Sequence, residues 1–316
     1  MYDIIGDIHG YATQLTELLA RLGYVKKAGV WQHPKRQAVF VGDFVDRGPE
    51  QVQAVTTVKH MVDHGHALAV MGNHELNAIA WMTPDPLEPD NFMRVHSSKN
   101  YKQHRAFVEQ VCEGSELHHS MIEWFKSLPL YLELDRLRIV HACWHEPSLQ
   151  TLSPMLDEHH RVKDEHWVTL LRKGTDLFEA GETLLKGLEI TLPHGHGFLD
   201  KDKNPRTQIR TRWWLTHERL TYRDLAMVPP DVLHNIPHEP VQADVMPGYQ
   251  GDKLLFVGHY WMSGKPSPLS EHVACVDYSV AAEADTDVKT HHGKLCAYRY
   301  DGESVLRAEN FVWVDA

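Results

Sequence analysis

Cysteines are few in this sequence, and long apolar runs are missing. The four cysteines Cys112, Cys143, Cys275 and Cys296 are widely spaced and form no C-x-x-C pair, so we interpret them as reduced thiols of the core. No apolar stretch approaches the roughly 18 residues that a membrane helix needs. The first predicted strand begins at Tyr2, which leaves no room for a signal peptide. These features predict a cytoplasmic protein without a membrane partner.

Positive charge is also scarce. The sequence has 32 lysines and arginines against 43 aspartates and glutamates, a formal net charge of -11. This balance argues against a protein that coats DNA, and the lack of a basic stripe disfavours a nuclease, so a nucleic-acid partner is not expected. With 42% hydrophobic and 24% charged residues and no internal repeat, the 316 residues have the composition of a globular protein.

The sequence does contain a series of apolar strands that end in polar residues. Residues 39–41 are β-branched or aromatic, Gly42 stops this strand, and Asp43, Asp46 and Arg47 follow it. Open α/β sheets bind ligands at the carboxyl ends of their strands. At such an edge an aspartate can bridge two divalent cations, a second aspartate can orient a histidine, and an arginine can grip a phosphate oxygen.

Similar strand ends lie on both sides of this segment. Asp7 and His9 follow the strand at residues 2–5, and Asn73 and His74 follow the strand at residues 67–71. Asp7 and His9 are two positions apart, so in an extended backbone they project to the same side and can hold one ion together. Carboxylate oxygen and imidazole nitrogen suit Mn, Fe or Zn better than Ca.

Two further apolar strands each end in a histidine. His141 follows residues 139–140, and His259 follows residues 254–257 with one glycine between. Together with Asn73, these histidines would complete the ligand shell of a second ion. The site therefore needs residues from both halves of the chain, which favours one α/β domain over residues 1–316 rather than two domains.

These motifs resemble those of one known family. The set Asp7-x-His9-Gly10, Gly42-Asp43-x-x-Asp46-Arg47-Gly48, Gly72-Asn73-His74-Glu75, His141 and Gly258-His259 resembles the phosphoprotein phosphatase (PPP) branch of the calcineurin-like metallophosphoesterases. Within the branch it is most similar to bacterial members grouped with serine/threonine protein phosphatases and diadenosine tetraphosphatases. The resemblance covers residues 1–75 well, and after that only short segments near 139–142 and 255–259.

The resemblance implies a mixed α/β fold, a four-layer α/β/β/α sandwich with two mixed sheets. Residues 148–250 match no known motif, and we interpret them as a largely helical insert that acts as a cap. The resemblance also implies two divalent metal ions, with Mn preferred and Fe, Zn, Co or Ni compatible. The implied metal ligands are Asp7, His9, Asp43, Asn73, His141 and His259, with Asp43 as the bridge.

The implied reaction is hydrolysis of phosphate monoesters, with phosphoserine or phosphothreonine protein as a candidate substrate, by attack of a metal-bridging hydroxide. In this scheme His74 protonates the leaving group, Asp46 orients His74, and Arg47 stabilises charge on the phosphoryl oxygens. One alternative is a dinucleoside polyphosphate hydrolase of the diadenosine tetraphosphate type. Another, from a different class, is a catalytically weak regulatory protein that binds phosphate.

One departure from the family pattern concerns phosphate binding. Many PPP members carry an arginine two residues after the glutamate, and here Asn77 occupies that place. Arg210 and Arg212 in the insert are our candidates to replace it as phosphate ligands. The neighbouring Trp213 and Trp214 would either stack on a nucleobase or anchor the cap with large apolar rings.

The remaining sequence gives coarse expectations for secondary structure. Leucine spacing predicts a first helix from Thr13 to Leu22, and a second helix begins near Pro49, so the start of the chain reads as strand-helix-strand-helix-strand with a mainly parallel sheet. Three prolines predict an irregular loop at residues 83–90. Residues 304–308 are predicted to form one of the last strands.

Overall fold

The computed structural model describes residues 1–199, 204–216, 219–242, 245, 248–282 and 293–316. In chain order, the strands are Tyr2–Ile5 (β1), Val25–Lys27 (β2), Val30–Gln32 (β3), Gln37–Phe40 (β4), Ala67–Ala69 (β5), Pro84–Asp85 (β6), Glu88–Phe92 (β7), Tyr131–Glu133 (β8), Leu137–Val140 (β9), Glu189–Thr191 (β10), Phe198–Leu199 (β11), Pro205–Arg206 (β12), Gln208–Arg210 (β13), Leu254–Val257 (β14), Val273–Cys275 (β15), Asp277–Tyr278 (β16), Lys294–Tyr300 (β17) and Phe311–Asp315 (β18). The α-helices are Ala12–Arg21 (α1), Gln51–Asp63 (α2), Asn73–Met82 (α3), Ser98–Val111 (α4), Glu116–Lys126 (α5), Glu146–Leu152 (α6), Trp167–Leu170 (α7), Asp176–Lys186 (α8) and Tyr222–Leu225 (α9). Short 3-10 helices are Ser153–Met155, Asp164–His166, Leu233–Asn235 and Ala308–Asn310.

The first sheet has the strand order β16-β17-β1-β4-β5, with β18 paired to β17. Strands β1, β4 and β5 are parallel, whereas β17 runs antiparallel to β1, β16 and β18. Because α1 and α2 connect the three parallel strands, the predicted strand-helix order is confirmed. The hairpin of β2 and β3 is an addition between α1 and β4 that the sequence pattern did not indicate.

The second sheet has the order β15-β14-β9-β8, parallel except for the β8–β9 pair. Alternate residues of the strands separate into two cores, since side chains along a strand point to opposite faces. Ile4 of the first sheet and Phe256 of the second lie in the core between the sheets. Ile5 and Leu255, their chain neighbours, belong to the outer core that contains the helix side chains. This arrangement confirms the predicted α/β/β/α layering.

Helix α1 illustrates how the outer layer forms. Its residues Leu15, Leu18 and Leu19 are fully buried, and each such leucine contributes about 1.5–3 kcal/mol relative to an exposed one. The helix begins at Ala12, one residue before the predicted start at Thr13. The Thr13 backbone N–H and hydroxyl both donate to the Glu50 carboxylate, at 2.8 and 2.7 Å.

Two predictions of secondary structure are wrong, the loop at residues 83–90 and the strand at residues 304–308. Residues 83–90 are not a loop without structure, because β6 and β7 pair there as a short hairpin. Residues 304–308 do not form a strand: of these five residues only Leu306 is buried, and bends lead into the 3-10 helix at Ala308–Asn310. A single buried side chain does not provide the alternating pattern that holds a strand on a sheet.

The proposed insert, residues 148–250, has two parts. Up to Lys186 it is helical, as predicted, with α8 burying Ala180, Leu184 and Leu185. After Glu189 the described residues instead form the two-stranded ribbons β10–β13 and β11–β12, the short helix α9 and irregular segments. The insert is therefore helical only in its first half.

The predicted placement of the cysteines in the core is confirmed for three of them and is wrong for Cys112. All four cysteines are free, and Cys143, Cys275 and Cys296 are buried whereas Cys112 is exposed. In the described part of the chain, no helix combines the length and the apolar character that crossing a membrane requires.

Candidate metal centre and active site

The carboxyl ends of five strands meet at one edge where the two sheets face each other. Asp7 follows β1, Asp43 follows β4, Asn73 follows β5, His141 follows β9 and His259 follows β14. The side chain of Asp43 lies at the centre of the group, with its Oδ2 3.3 Å from His141 Nε2 and 3.7 Å from His9 Nε2. The structure thus brings all six predicted metal ligands together.

Two groups of side chains have their donor atoms within 4.8 Å of one another, and both include Asp43. Among the described residues, the first contains His9, Asp43 and His74, and the second contains Asp43, His141 and His259. The predicted ligand Asp7 belongs to neither group, and the predicted proton donor His74 belongs to the first. Asn73 adds to the second group, since its Oδ1 lies 2.8 Å from His259 Nδ1 and 3.2 Å from His141 Nε2. Two atoms bound to one cation at about 2.1 Å lie roughly 3 Å apart at right angles, so these separations fit one ion.

Two of the predicted metal ligands, Asp7 and His9, each have a buried atom without a hydrogen-bond partner among the described residues. These atoms are Asp7 Oδ1 and His9 Nε2. The second carboxylate oxygen of Asp7 and the second ring nitrogen of His9 are hydrogen-bonded. Asp7 Oδ2 accepts from the His259 backbone N–H at 3.0 Å, and His9 Nδ1–H donates to the Val45 carbonyl at 3.0 Å. A buried polar atom without a partner is destabilising by about 1–3 kcal/mol, and a bound cation removes this penalty. The residues present therefore fit a divalent metal.

The protonation of the histidines also suits a metal site. Burial, followed by the charge of His74, lowers the pKa of His9 to about 3. Burial and nearby Arg210 lower the pKa of His259 well below its usual value. Both rings are therefore neutral at physiological pH, the form that binds a metal.

Asp43 and His141 shift each other's pKa in opposite directions. Burial alone would raise the pKa of Asp43, but the charges of His141 and His74 bring it well below its usual value. Burial opposes the positive charge of His141, yet Asp43 raises the pKa of His141 to about 10. A cation bound to Asp43 would replace the proton of His141, since both compete for the same carboxylate.

Strained backbone is concentrated in these loops. Five site residues have positive φ although none is glycine, namely His9, Asp43, Asp46, Arg47 and His259. Such conformations cost roughly 1–3 kcal/mol each and persist where the surroundings enforce them. Gly258 is required by close approach rather than by φ, because a Cβ there would collide with Asp7 Oδ1. The site is therefore held in place at the expense of local stability.

His74 and Asp46 are paired as predicted. His74 Nδ1 lies 2.5 Å from Asp46 Oδ2, and the His74 backbone N–H donates to Asp43 Oδ1 at 3.0 Å. Burial disfavours the charged His74 ring, but Asp43 and Asp46 together raise its pKa above the usual value. The His74 side chain is 13% exposed, compared with 3% for Asp46. His74 can therefore reach a bound substrate with a proton while Asp46 stays inside.

Three buried residues of the site have no predicted role. Glu75 accepts hydrogen bonds from the backbone N–H groups of Asp43 and Phe44, both at 2.8 Å, and fixes the loop after β4 to the start of α3. Asp277 accepts from the Trp261 backbone N–H at 2.8 Å and holds the loop after β14. His104 Nδ1 lies 2.7 Å from Asp46 Oδ1, the carboxylate oxygen that does not face His74. The one signal that the sequence offered for His104 is its helical spacing from the apolar residues Phe107, Val108 and Val111.

The two candidate phosphate ligands lie in different places. Arg210 is close enough to His259 that its charge lowers the pKa of that ring, and its Nε is buried without a hydrogen-bond partner in the described part of the chain. Arg212 is exposed and lines a separate cavity of about 670 Å³ together with Asp224. Trp213 is buried and donates from Nε1 to the Tyr260 hydroxyl at 2.7 Å. Only Arg210 therefore lies next to the candidate metal centre.

The fold is that of a metallophosphoesterase, and candidate metal-binding residues lie together at its strand ends. A family model for calcineurin-like phosphoesterases matches residues 2–260, and the chain belongs to this family of phosphoric ester hydrolases. The resemblance found in the sequence motifs is thereby confirmed.

Several curated proteins are similar to part of the chain. A bis(5'-nucleosyl)-tetraphosphatase PrpE (asymmetrical) of Oceanobacillus iheyensis is 32% identical over 141 residues, which are 44% of this chain and 54% of that protein. A symmetrical bis(5'-nucleosyl)-tetraphosphatase of Janthinobacterium is 28% identical over 173 residues, 54% of each. The chain thus spans about half of the length of the curated relatives that it matches.

A solved structure supports the fold. The cold-active protein-tyrosine phosphatase of a psychrophilic Shewanella has a TM-score of 0.50 and 14% identity, and the match covers 99% of this chain and 79% of that one. At this identity the likeness concerns the architecture and not the substrate.

Proposed function

We propose that this protein is a dimetal-dependent hydrolase of dinucleoside polyphosphates, the alternative to the phosphate monoesterase in our sequence analysis. The observation that carries the proposal is the pair of donor groups that share Asp43, next to the His74–Asp46 pair. The relatives named above favour a nucleoside polyphosphate over a phosphoprotein as substrate. The intact set of ligands with a proton donor argues against a purely regulatory phosphate-binding protein.

Each ion position has its own ligands. Asp7, His9 and Asp43 would hold one ion, and Asp43, Asn73, His141 and His259 the other. When bound, two such cations lower the pKa of a water between them and neutralise charge on the phosphoryl oxygens. We retain Mn as the preferred metal, since oxygen and imidazole donors are compatible with it.

The chain's own groups supply positioning and protons. His74, as an imidazolium, delivers its Nε2 proton to the leaving phosphate oxygen, and Asp46, which accepts from Nδ1–H, orients the ring and stabilises its charged form. The guanidinium of Arg47 lies beside the site and grips a phosphoryl oxygen. Arg210 takes the place of the arginine that the motif after Glu75 lacks, because its charge acts on His259. Its Nη2 lies 3.6 Å from Glu189 Oε1, whereas its buried Nε has no hydrogen-bond partner among the described residues.

The insert at residues 148–250 would act as a cap within a single domain that spans residues 1–316. Its Trp213 bonds the Tyr260 hydroxyl, which in turn donates to the Ala142 carbonyl at 2.9 Å. These two bonds connect the insert to the residues next to His259 and His141. The free thiols support a reducing compartment, the cytoplasm.

The test compares two substrates on one enzyme preparation. Metal-stripped protein is reloaded with Mn, and kcat/KM is measured for diadenosine tetraphosphate and for a phosphoserine peptide, with products separated by anion-exchange chromatography. We expect the dinucleotide to be preferred by about 100-fold or more, and the product pair, ATP with AMP or two ADP, identifies the phosphorus that is attacked. Asp43→Asn is the inactive control. A preference for the peptide would overturn the proposal in favour of the monoesterase.

A further inference from the structure

His104 occupies an unexpected position behind the catalytic pair. It lies on α4 and is 1% exposed, and its Nδ1 is 2.7 Å from Asp46 Oδ1. The other oxygen of the same carboxylate, Oδ2, is 2.5 Å from His74 Nδ1. Asp46 is therefore bonded by one imidazole on each oxygen, and His104, Asp46 and His74 form a continuous chain from the helical layer to the metal site.

The surroundings of His104 are apolar. Its ring centroid lies 5.6 Å from that of Trp81 and 5.2 Å from that of Phe107, and Phe107, Val108 and Val111 continue the same buried face of α4. The Nε2 atom of His104 is buried without a hydrogen-bond partner among the described residues. A leucine would fill such a position without leaving an unpaired polar atom, so the bond to Asp46 is the contact that distinguishes histidine here.

Asp46 needs this support because its backbone alone does not orient the carboxylate. Its φ is +71°, an unfavourable region for a non-glycine residue, and its backbone N–H is held by Gln51 Oε1 at 2.7 Å. These contacts fix the main chain, whereas rotation of the carboxylate is limited by its two histidines. Outer partners of this kind orient catalytic groups in many hydrolases.

We propose that His104 is a positioning residue: its Nδ1–H holds the Asp46 carboxylate so that Oδ2 faces His74 and presents His74 Nε2 to the leaving group. This inference rests on the proposed role of His74 as proton donor, but not on the identity of the nucleotide substrate. It assigns a function to a residue of α4, outside the motifs that carry the family resemblance.

The test uses substrates that differ in their need for a proton. Phenyl phosphate has a poor leaving group that needs a proton, whereas 2,4-dinitrophenyl phosphate releases dinitrophenolate without protonation. The ratio of the two kcat values therefore reports the action of the proton donor. For His104→Leu we expect kcat on phenyl phosphate to fall by roughly 10–100-fold and kcat on the dinitrophenyl ester by less than about threefold, with KM nearly unchanged. His104→Asn, whose amide N–H can replace Nδ1–H, should recover most of the loss.

His118→Leu is the matched control. His118 is also fully buried and its ring centroid lies 5.5 Å from that of Phe107, but its Nδ1 accepts from the Gly114 backbone N–H rather than contacting Asp46. Thermal unfolding of both leucine variants checks that the fold is retained. If both variants change the kcat ratio equally, His104 has only a packing role and the proposal is wrong.

A second readout does not depend on turnover. Nitrogen-15 histidine NMR of the wild-type protein should show His104 protonated at Nδ1 and a downfield, slowly exchanging His74 Nδ1 proton. This His74 proton should exchange faster in His104→Leu and keep its wild-type behaviour in His118→Leu. An unchanged His74 signal in His104→Leu would overturn the proposal. A wild-type protein that hydrolyses neither diadenosine tetraphosphate nor a phosphate ester would instead refute the proposed function, and the NMR comparison would still decide the role of His104.

Discussion

The guanidinium of Arg47 lies over the indole ring of Trp261, with 4.1 Å between Cζ and the ring centroid. The two residues belong to different loops, since Arg47 follows β4 and Trp261 follows β14. Trp261 is 37% exposed, and its ring centroid lies 6.2 Å from that of His9, so the stacked pair forms the rim of the metal site. The contact holds the exposed Arg47 side chain at this rim.

Replacing Trp261 should therefore weaken the action of Arg47. We expect Trp261→Ala to lower kcat/KM by about 2–30-fold, the equivalent of a cation–π contact of roughly 0.5–2 kcal/mol, and Trp261→Phe to lose less. Steady-state kinetics of Trp261→Ala, Arg47→Ala and the double variant give the coupling energy between the two side chains. Strictly additive effects would show that the stacking has no part in catalysis.

Metal stoichiometry should follow the two donor groups. We expect the wild-type protein to bind about two Mn ions per chain, His9→Ala about one and Asp43→Ala fewer than one, because Asp43 belongs to both groups. Inductively coupled plasma mass spectrometry after gel filtration measures these values. His159→Ala changes an exposed histidine away from the site and should keep the full content. Equal loss in His9→Ala and Asp43→Ala would contradict the bridging role of Asp43.

Glu75 should matter for stability as well as for the site. Glu75→Gln keeps one acceptor oxygen but turns an amide NH₂ toward backbone N–H donors that now bond a carboxylate. We expect the free energy of unfolding to fall by about 1.5–3 kcal/mol, as measured by urea denaturation of the metal-free protein. Glu123→Gln, which removes an exposed ion pair with Lys126, should change it by less than about 0.5 kcal/mol. Similar values for both variants would argue against a structural role of Glu75.

The thiols should differ in reactivity. Burial raises the pKa of the Cys143, Cys275 and Cys296 thiols well above the usual value, so they carry little reactive thiolate and are shielded from reagent. Only Cys112 is exposed. Ellman's reagent at neutral pH should therefore titrate one thiol per native chain and all four after denaturation, and Cys112→Ser should remove the native signal. Rapid reaction of a second thiol would show that the fold opens around a buried cysteine.

Much of the site could be predicted because each ligand is a chain neighbour of a strand end. The rule that parallel strands bring their carboxyl ends to one edge places Asp7, Asp43 and Asn73 together without knowledge of any side-chain contact. The outer helices followed from leucine spacing in the same local manner. The prediction failed where local pattern is weak: prolines in residues 83–90 hid a short hairpin, and residues 304–308 lack a second buried side chain.

The sequence by itself therefore determined the family, the layered fold and the identity of the candidate metal ligands, because short motifs at strand ends contain this information. Only the tertiary structure decided that His104 bonds Asp46 and that Asp277 holds the loop carrying Trp261. It also decided that Arg210 lies near the candidate metal centre while Arg212 lines a separate cavity. The physical reason is that such contacts join segments far apart in the chain. Their geometry depends on how α4 and the insert pack against the sheets, which no local periodicity encodes.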